Sequence, residues 1–87
     1  MFIHLGEEIV IRSKDVVAII DGQLLESSSI MAEFIQGQEQ VGRIKQVSTN
    51  NIKSIIVTKK QVYFSPLSSV TLKRRSQMIT ELDLFNE

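Results

Sequence analysis

Between residues 41 and 80 this chain carries eight cations (Arg43, Lys45, Lys53, Lys59, Lys60, Lys73, Arg74 and Arg75) and no carboxylate. A run of Lys and Arg without acids is the chemistry that meets phosphate. Ammonium and guanidinium groups displace counterions from a nucleic-acid backbone, so affinity falls steeply with salt. Lys59 and Lys60 are adjacent, and Lys73-Arg74-Arg75 are consecutive; with Lys53, Lys45 and Arg43 they form one patch if the fold brings them to one surface. The first forty residues have the opposite sign, with two basic groups against seven acidic ones, and Glu81, Asp83 and Glu87 return the chain to zero net charge. Such asymmetry points to nucleic acid or an acidic partner. The same charges also describe a solvated surface balanced by the acidic first half or the acidic tail. Arg74 and Arg75 have a further use, in pairing with Glu81 or Asp83 of a neighbouring copy.

Other chemistry finds little material. His4 is the sole histidine and there is no cysteine, so a zinc site, which needs several such ligands held together, is excluded. Glu7-Glu8 is the one adjacent carboxylate pair. It lies in a turn, where neighbouring side chains diverge, and reads as a solvated tip rather than an acid–base dyad. The four glycines are scattered and form no phosphate loop. Ser27-Ser28-Ser29 has no histidine nearby and reads as helix capping. Tyr63-Phe64 offers rings that stack on bases in single-strand binders, yet strand alternation sends the two to opposite faces, so at least one packs in the core. The expectation is a protein without enzymatic activity, cofactor or metal.

The elements that must position the cations are short. Phe2-Ile3-His4-Leu5 is a strand ended by a tight turn at Gly6-Glu7-Glu8, and Ile9-Val10-Ile11 returns from it. Ser13-Lys14-Asp15 suits a single helical turn, with Ser13 or Asp15 as its cap. Val16 to Ile20 is apolar throughout and is expected to be the most buried strand. Asp21-Gly22 closes it. The serine cluster caps a helix over 28–37, carried by the pairs Ile30/Phe34 and Met31/Ile35 and ended by Gly37. Residues 38–51 are polar and read as a long loop anchored by Val41, Ile44 and Val47. Ile52–Thr58 and Val62–Phe64 form a hairpin with Lys59-Lys60-Gln61 at its tip. Pro66 ends that sheet. Ser68 or Ser69 then caps a second helix, with Leu72, Ile79 and Leu82 along one side and Met78 beside them.

Five short strands and two helices make one α+β domain over residues 1–87: a small, curved, mostly antiparallel sheet with helix cover. The sheet leaves edges, and self-association is one way to cover them. With 43% hydrophobic residues the chain has the composition of a folded protein. No cysteine, no leader-like start and no long apolar run together suggest a cytoplasmic protein that does not enter a membrane.

Several segments also resemble a known family. They are Phe2-Ile3-His4-Leu5-Gly6, Lys14-Asp15-Val16-Val17-Ala18-Ile19-Ile20-Asp21 and Lys53-Ser54-Ile55-Ile56-Val57-Thr58, and above all the run from Tyr63 through Ser65-Pro66-Leu67-Ser68-Ser69 to Lys73-Arg74-Arg75. Together they are similar to the RemA/RemB family of extracellular matrix regulators from spore-forming Gram-positive bacteria. The resemblance implies a cytoplasmic transcription regulator of biofilm-matrix genes, forming ring-like homo-oligomers that bind DNA on a LytTR-like fold. One departure matters. The family's RemA members carry an arginine pair in the loop before the strand that matches Lys53 to Thr58, and here that loop reads Ser48-Thr49-Asn50-Asn51. Contact with DNA would then fall on Lys53, Lys59, Lys60, Lys73, Arg74 and Arg75. The alternative is a module that assembles with itself or a RemA-like partner and never touches DNA.

Overall fold

The computed structural model describes residues 2–48 and 51–76. In chain order the elements are β1 (Phe2–Gly6), β2 (Ile9–Arg12), one 3-10 turn (Ser13–Asp15), β3 (Val16–Asp21), α1 (Leu24–Ser27), α2 (Ser29–Gln40), β4 (Ile44–Gln46), β5 (Ser54–Thr58) and β6 (Val62–Ser65). A final helix, α3, occupies 69–76. The fold is α+β, as expected, but the strands divide between two sheets. β1 and β2 form an antiparallel hairpin, and the second sheet runs β3-β5-β6-β4.

Alternation along β5 and β6 makes the larger sheet the middle of three layers. Ile56 and Tyr63 face a cluster built from Ile3, Leu5 and Ile11 of the hairpin together with Val47 and Leu72. Ile55, Val62 and Phe64 face the other way, onto Ile35, Met31 and Leu25 of the helices. Complete burial of an Ile or Leu side chain is worth about 1.5–3 kcal/mol, so these two clusters hold the layers together. Leu72 is the buried anchor of α3 on the hairpin layer, since it is fully buried while Lys73, Arg74 and Arg75 after it are exposed. Ile79, Leu82 and Met78 lie outside the described residues.

The local signals mostly work as expected. The hairpin turn places Gly6, Glu7 and Glu8 at positive φ. Ser28 caps α2, its Oγ accepting from the Met31 N–H at 3.2 Å. Ser68 caps α3 by accepting from the Thr71 N–H, also at 3.2 Å.

Several expectations need correction. Gly37 does not end α2, which runs on to Gln40; a Cβ built at Gly37 would meet nothing within 4 Å, so the glycine interrupts no packing. The expected loop 38–51 contains the end of α2 and a strand, β4, that pairs with β6 in parallel. A parallel partner leaves no hairpin signature in sequence. A further short helix, α1, precedes the serine cluster. The 3-10 turn has no side-chain cap; Asp15 instead accepts from Arg12 Nε at 2.9 Å. The strand expected to be most buried, β3, is an edge strand with Val17 65% exposed, and β5 and β6 hold the two interior positions.

Candidate nucleic-acid interface

The sheet order decides where the cations go. β3 and β6 both run antiparallel to β5, and β4 runs parallel to β6. The starts of β3, β6 and β4 therefore lie at the same end of the sheet as the end of β5. Lys14 precedes β3, Lys59 and Lys60 follow β5, and Arg43 precedes β4. At about 4.8 Å per strand spacing, this row covers roughly 14 Å across the sheet.

Backbone hydrogen bonds hold the row in place. The Lys59 N–H donates to the Asp15 carbonyl at 3.2 Å, tying the 3-10 turn to the β5–β6 turn. The Val62 N–H donates to the Arg43 carbonyl at 2.8 Å. Arg43 reaches that position because the chain reverses after α2 at Gly42, whose φ of 71° suits glycine far better than other residues. Thr58 rigidifies the lysine-bearing turn. Its Oγ1 donates to the Gln61 carbonyl at 2.6 Å and accepts from the N–H groups of Gln61 and Lys60 at 3.0 and 3.3 Å. Sequence reasoning treats Lys59-Lys60 as a hairpin tip; Thr58 is the residue that gives this tip a defined shape.

Arg12 joins the same end. It shares an open cleft of about 480 Å³ with Asp15, Lys60, Gln61 and Tyr63. Its ion pair with Asp15 leaves the Arg12 side chain half exposed, and a pair this open contributes little to stability. The Tyr63 hydroxyl donates to Gln61 Oε1 at 3.0 Å in that cleft. Phe64 is buried on the opposite face, against the helices, so of the two neighbouring rings only Tyr63 meets the cationic end.

The six residues expected to contact phosphate do not form one patch. Lys59 and Lys60 sit in the row just described. Lys53 lies beyond the other end of β5, about 20 Å away at ~3.3 Å per residue, in a hollow with Asp21, Ser68 and Ser69. α3 connects the two ends. Its first residues border the Lys53 hollow, and Lys73 and Ser76 border Ser13 and the start of β3. Lys73 thus approaches the cationic row and Arg74 is exposed. Arg75 Nη1 donates to the His4 carbonyl at 3.1 Å, which holds its guanidinium against the hairpin. Glu81 and Asp83, considered as partners for these arginines, lie outside the described residues, as do Thr49 and Asn50 of the loop that lacks the arginine pair.

Arg12 and Lys14 are the additions the structure makes to the site, and Arg43, a patch candidate by its charge, is brought into it. Arg12 and Lys14 stand among the acidic residues of the first half, and Arg43 is separated from Lys59 by fifteen positions. Only the strand order reveals that they converge. Among the described residues no group of three or more His, Asp or Glu is placed to hold a metal ion. No helix among them is long and apolar enough to cross a membrane.

The described residues thus form a small α+β domain with an open sheet and a row of cations at one sheet end. The family it falls in follows from comparison: residues 2–76 match the RemA-like family, extracellular matrix regulatory protein A-like, and the chain belongs to that family. It is also 40% identical over 83 residues to extracellular matrix regulatory protein B of Bacillus subtilis (strain 168), an alignment that takes in 95% of this chain and 99% of that protein.

Proposed function

We propose that this protein is a non-enzymatic regulator of extracellular-matrix genes that assembles with copies of itself and binds the phosphate backbone of DNA. The observation that carries the reading is the convergence of Arg12, Lys14, Arg43, Lys59 and Lys60 at one end of the sheet, on three separate connections held by backbone hydrogen bonds. Family membership and the name of the Bacillus subtilis relative support the regulatory role. Backbone contacts of this kind carry affinity and salt dependence but no base sequence. Assembly would multiply them, since each added copy contributes its cations at high effective concentration.

Binding of the purified protein to duplex DNA across a salt series tests the reading. Lys59→Ala with Lys60→Ala should weaken binding and flatten the slope of log affinity against log salt by about 2. Arg74→Ala with Arg75→Ala should do the same more weakly, because Arg75 is engaged with His4. Lys53→Ala should change little. Absence of binding at low salt by a folded oligomer would favour the second reading, a module that assembles with itself or a RemA-like partner without DNA. The large apolar side chains left exposed on α2 and β3 favour that reading.

A further inference from the structure

α2 carries two apolar stripes. One, with Met31 and Ile35, packs on the sheet. The other runs Ile30, Phe34 and Gly37 and ends at Val41, the C-cap just past the helix, which at 100° per residue falls within about 60° of the helix circumference. Ile30 is 78% exposed, Phe34 38% and Val41 65%. At the centre of this outward stripe Gly37 is bare, with open space where a Cβ would be. Glycine within a helix costs stability relative to alanine, and among the described residues nothing uses the gap.

From this stripe we propose that α2 is a two-fold self-association surface, on which two copies pack antiparallel with Phe34 of each seated over Gly37 of the other. The stripe is self-complementary in register. Phe34 with Gly37 and Ile30 with Val41 are both centred midway between residues 35 and 36. One two-fold axis at that point therefore sets Phe34 against Gly37 and Ile30 against Val41 at once. Glu39 lies on the far side of the helix, about 170° from the centre of the stripe, and Glu33 flanks the stripe at about 70°, so neither charge on α2 sits in the seam. A parallel pair would stack Phe34 on Phe34 and Glu33 on Glu33. Nucleic acid and an anionic membrane are poor occupants, since α2 bears two carboxylates and no cation.

Area sets the strength. The three exposed side chains supply roughly 300 Å² per copy, on the order of 600 Å² in total, well below the ~1,200–2,000 Å² of a stable interface. The contact is therefore weak and concentration-dependent alone, and adds to the self-assembly proposed above, on which this inference rests.

The chain has no cysteine, so the register can be tested by disulfide trapping in the full-length protein. Ile30→Cys and Val41→Cys chains, mixed and oxidised, should give predominantly the mixed disulfide. Ile30→Cys alone should give little, because the two copies of residue 30 stand about 16 Å apart along the axis at ~1.5 Å per residue, beyond disulfide reach. Gly37→Gln should leave the melting profile intact, given the open space there, while raising the dissociation constant measured by sedimentation on the order of tenfold or more. Persistent assembly of Gly37→Gln without a mixed disulfide would overturn this interface alone. A wild-type chain that stays monomeric at every concentration would overturn both this inference and the proposed self-assembly.

Discussion

β3 and β5 are built from the same kind of residues and meet opposite fates. Val16-Val17-Ala18-Ile19-Ile20 and Ile55-Ile56-Val57 are both unbroken apolar runs, and the two strands are hydrogen-bonded neighbours. Ile55 and Ile56 are completely buried, one on each face of the sheet, whereas no residue of β3 is fully buried. The difference comes from position and from one irregularity. β5 has a strand on either side and a layer on either face, while β3 is the sheet edge and its pairing shifts register between Val16 and Ala18, leaving Val17 outward. An apolar run without alternation thus specifies a strand, but not its place. A bulge on an edge strand also twists it away from flat pairing with another chain.

The largest expected effect lies at the centre. Ile56→Ala removes a side chain wedged between the hairpin layer and the sheet and should lower stability by about 2–5 kcal/mol, the usual range for a fully buried Ile. Urea unfolding followed by circular dichroism measures it. A loss below ~1 kcal/mol would mean the hairpin layer can collapse onto the gap, which would undo the contrast between the strands.

A finer test uses two serines that face each other across β5 and β6. Ser54 pairs with Ser65 in register and both are fully buried. Ser65 Oγ donates to the Leu5 carbonyl at 2.7 Å and accepts from the Leu67 N–H at 3.1 Å, joining the sheet to β1 and shaping the turn at Pro66. Ser54 Oγ has no hydrogen-bond partner among the described residues. Ser65→Ala strands buried backbone groups and should cost about 1–3 kcal/mol, while Ser54→Ala removes an unsatisfied hydroxyl and should be neutral or stabilising. Equal losses in the two unfolding curves would show that Ser54 is as well satisfied as Ser65.

Interactions that act over a few residues were legible from the sequence. The Ser28 and Ser68 caps, the turn at Glu7-Glu8 and the β5–β6 hairpin all lie within four or five positions of the residues that signal them. What escaped depends on contacts between distant segments. β4 is three residues long and stable only beside β6, so its isolated sequence resembles loop. α2 passes through Gly37 because Met31 and Ile35 anchor the turns before it to the sheet, and one glycine costs only about 1 kcal/mol against that packing. For the site, Lys59 and Lys60 could be singled out as a hairpin tip. Their gathering with Arg12, Lys14 and Arg43 is a property of strand order, which charge spacing does not encode.

The smallest expected effect returns to the edge. Val17 is β-branched and apolar, and by composition its replacement with lysine should be as harmful as one in β5. By position it should be nearly silent: an exposed bulge residue loses little burial, and surface changes away from caps and buried pairs stay within about ±0.5 kcal/mol. Unfolding of Val17→Lys at low protein concentration, where self-association is minimal, isolates the single chain and should show that small change. Repeating the measurement at high concentration extends the test. If a loss above ~1 kcal/mol develops only there, β3 is covered by another copy, and its apolar composition serves the assembly rather than the fold. If the two concentrations agree, the bulge protects an edge that stays open, and α2 is left as the surface on which copies meet.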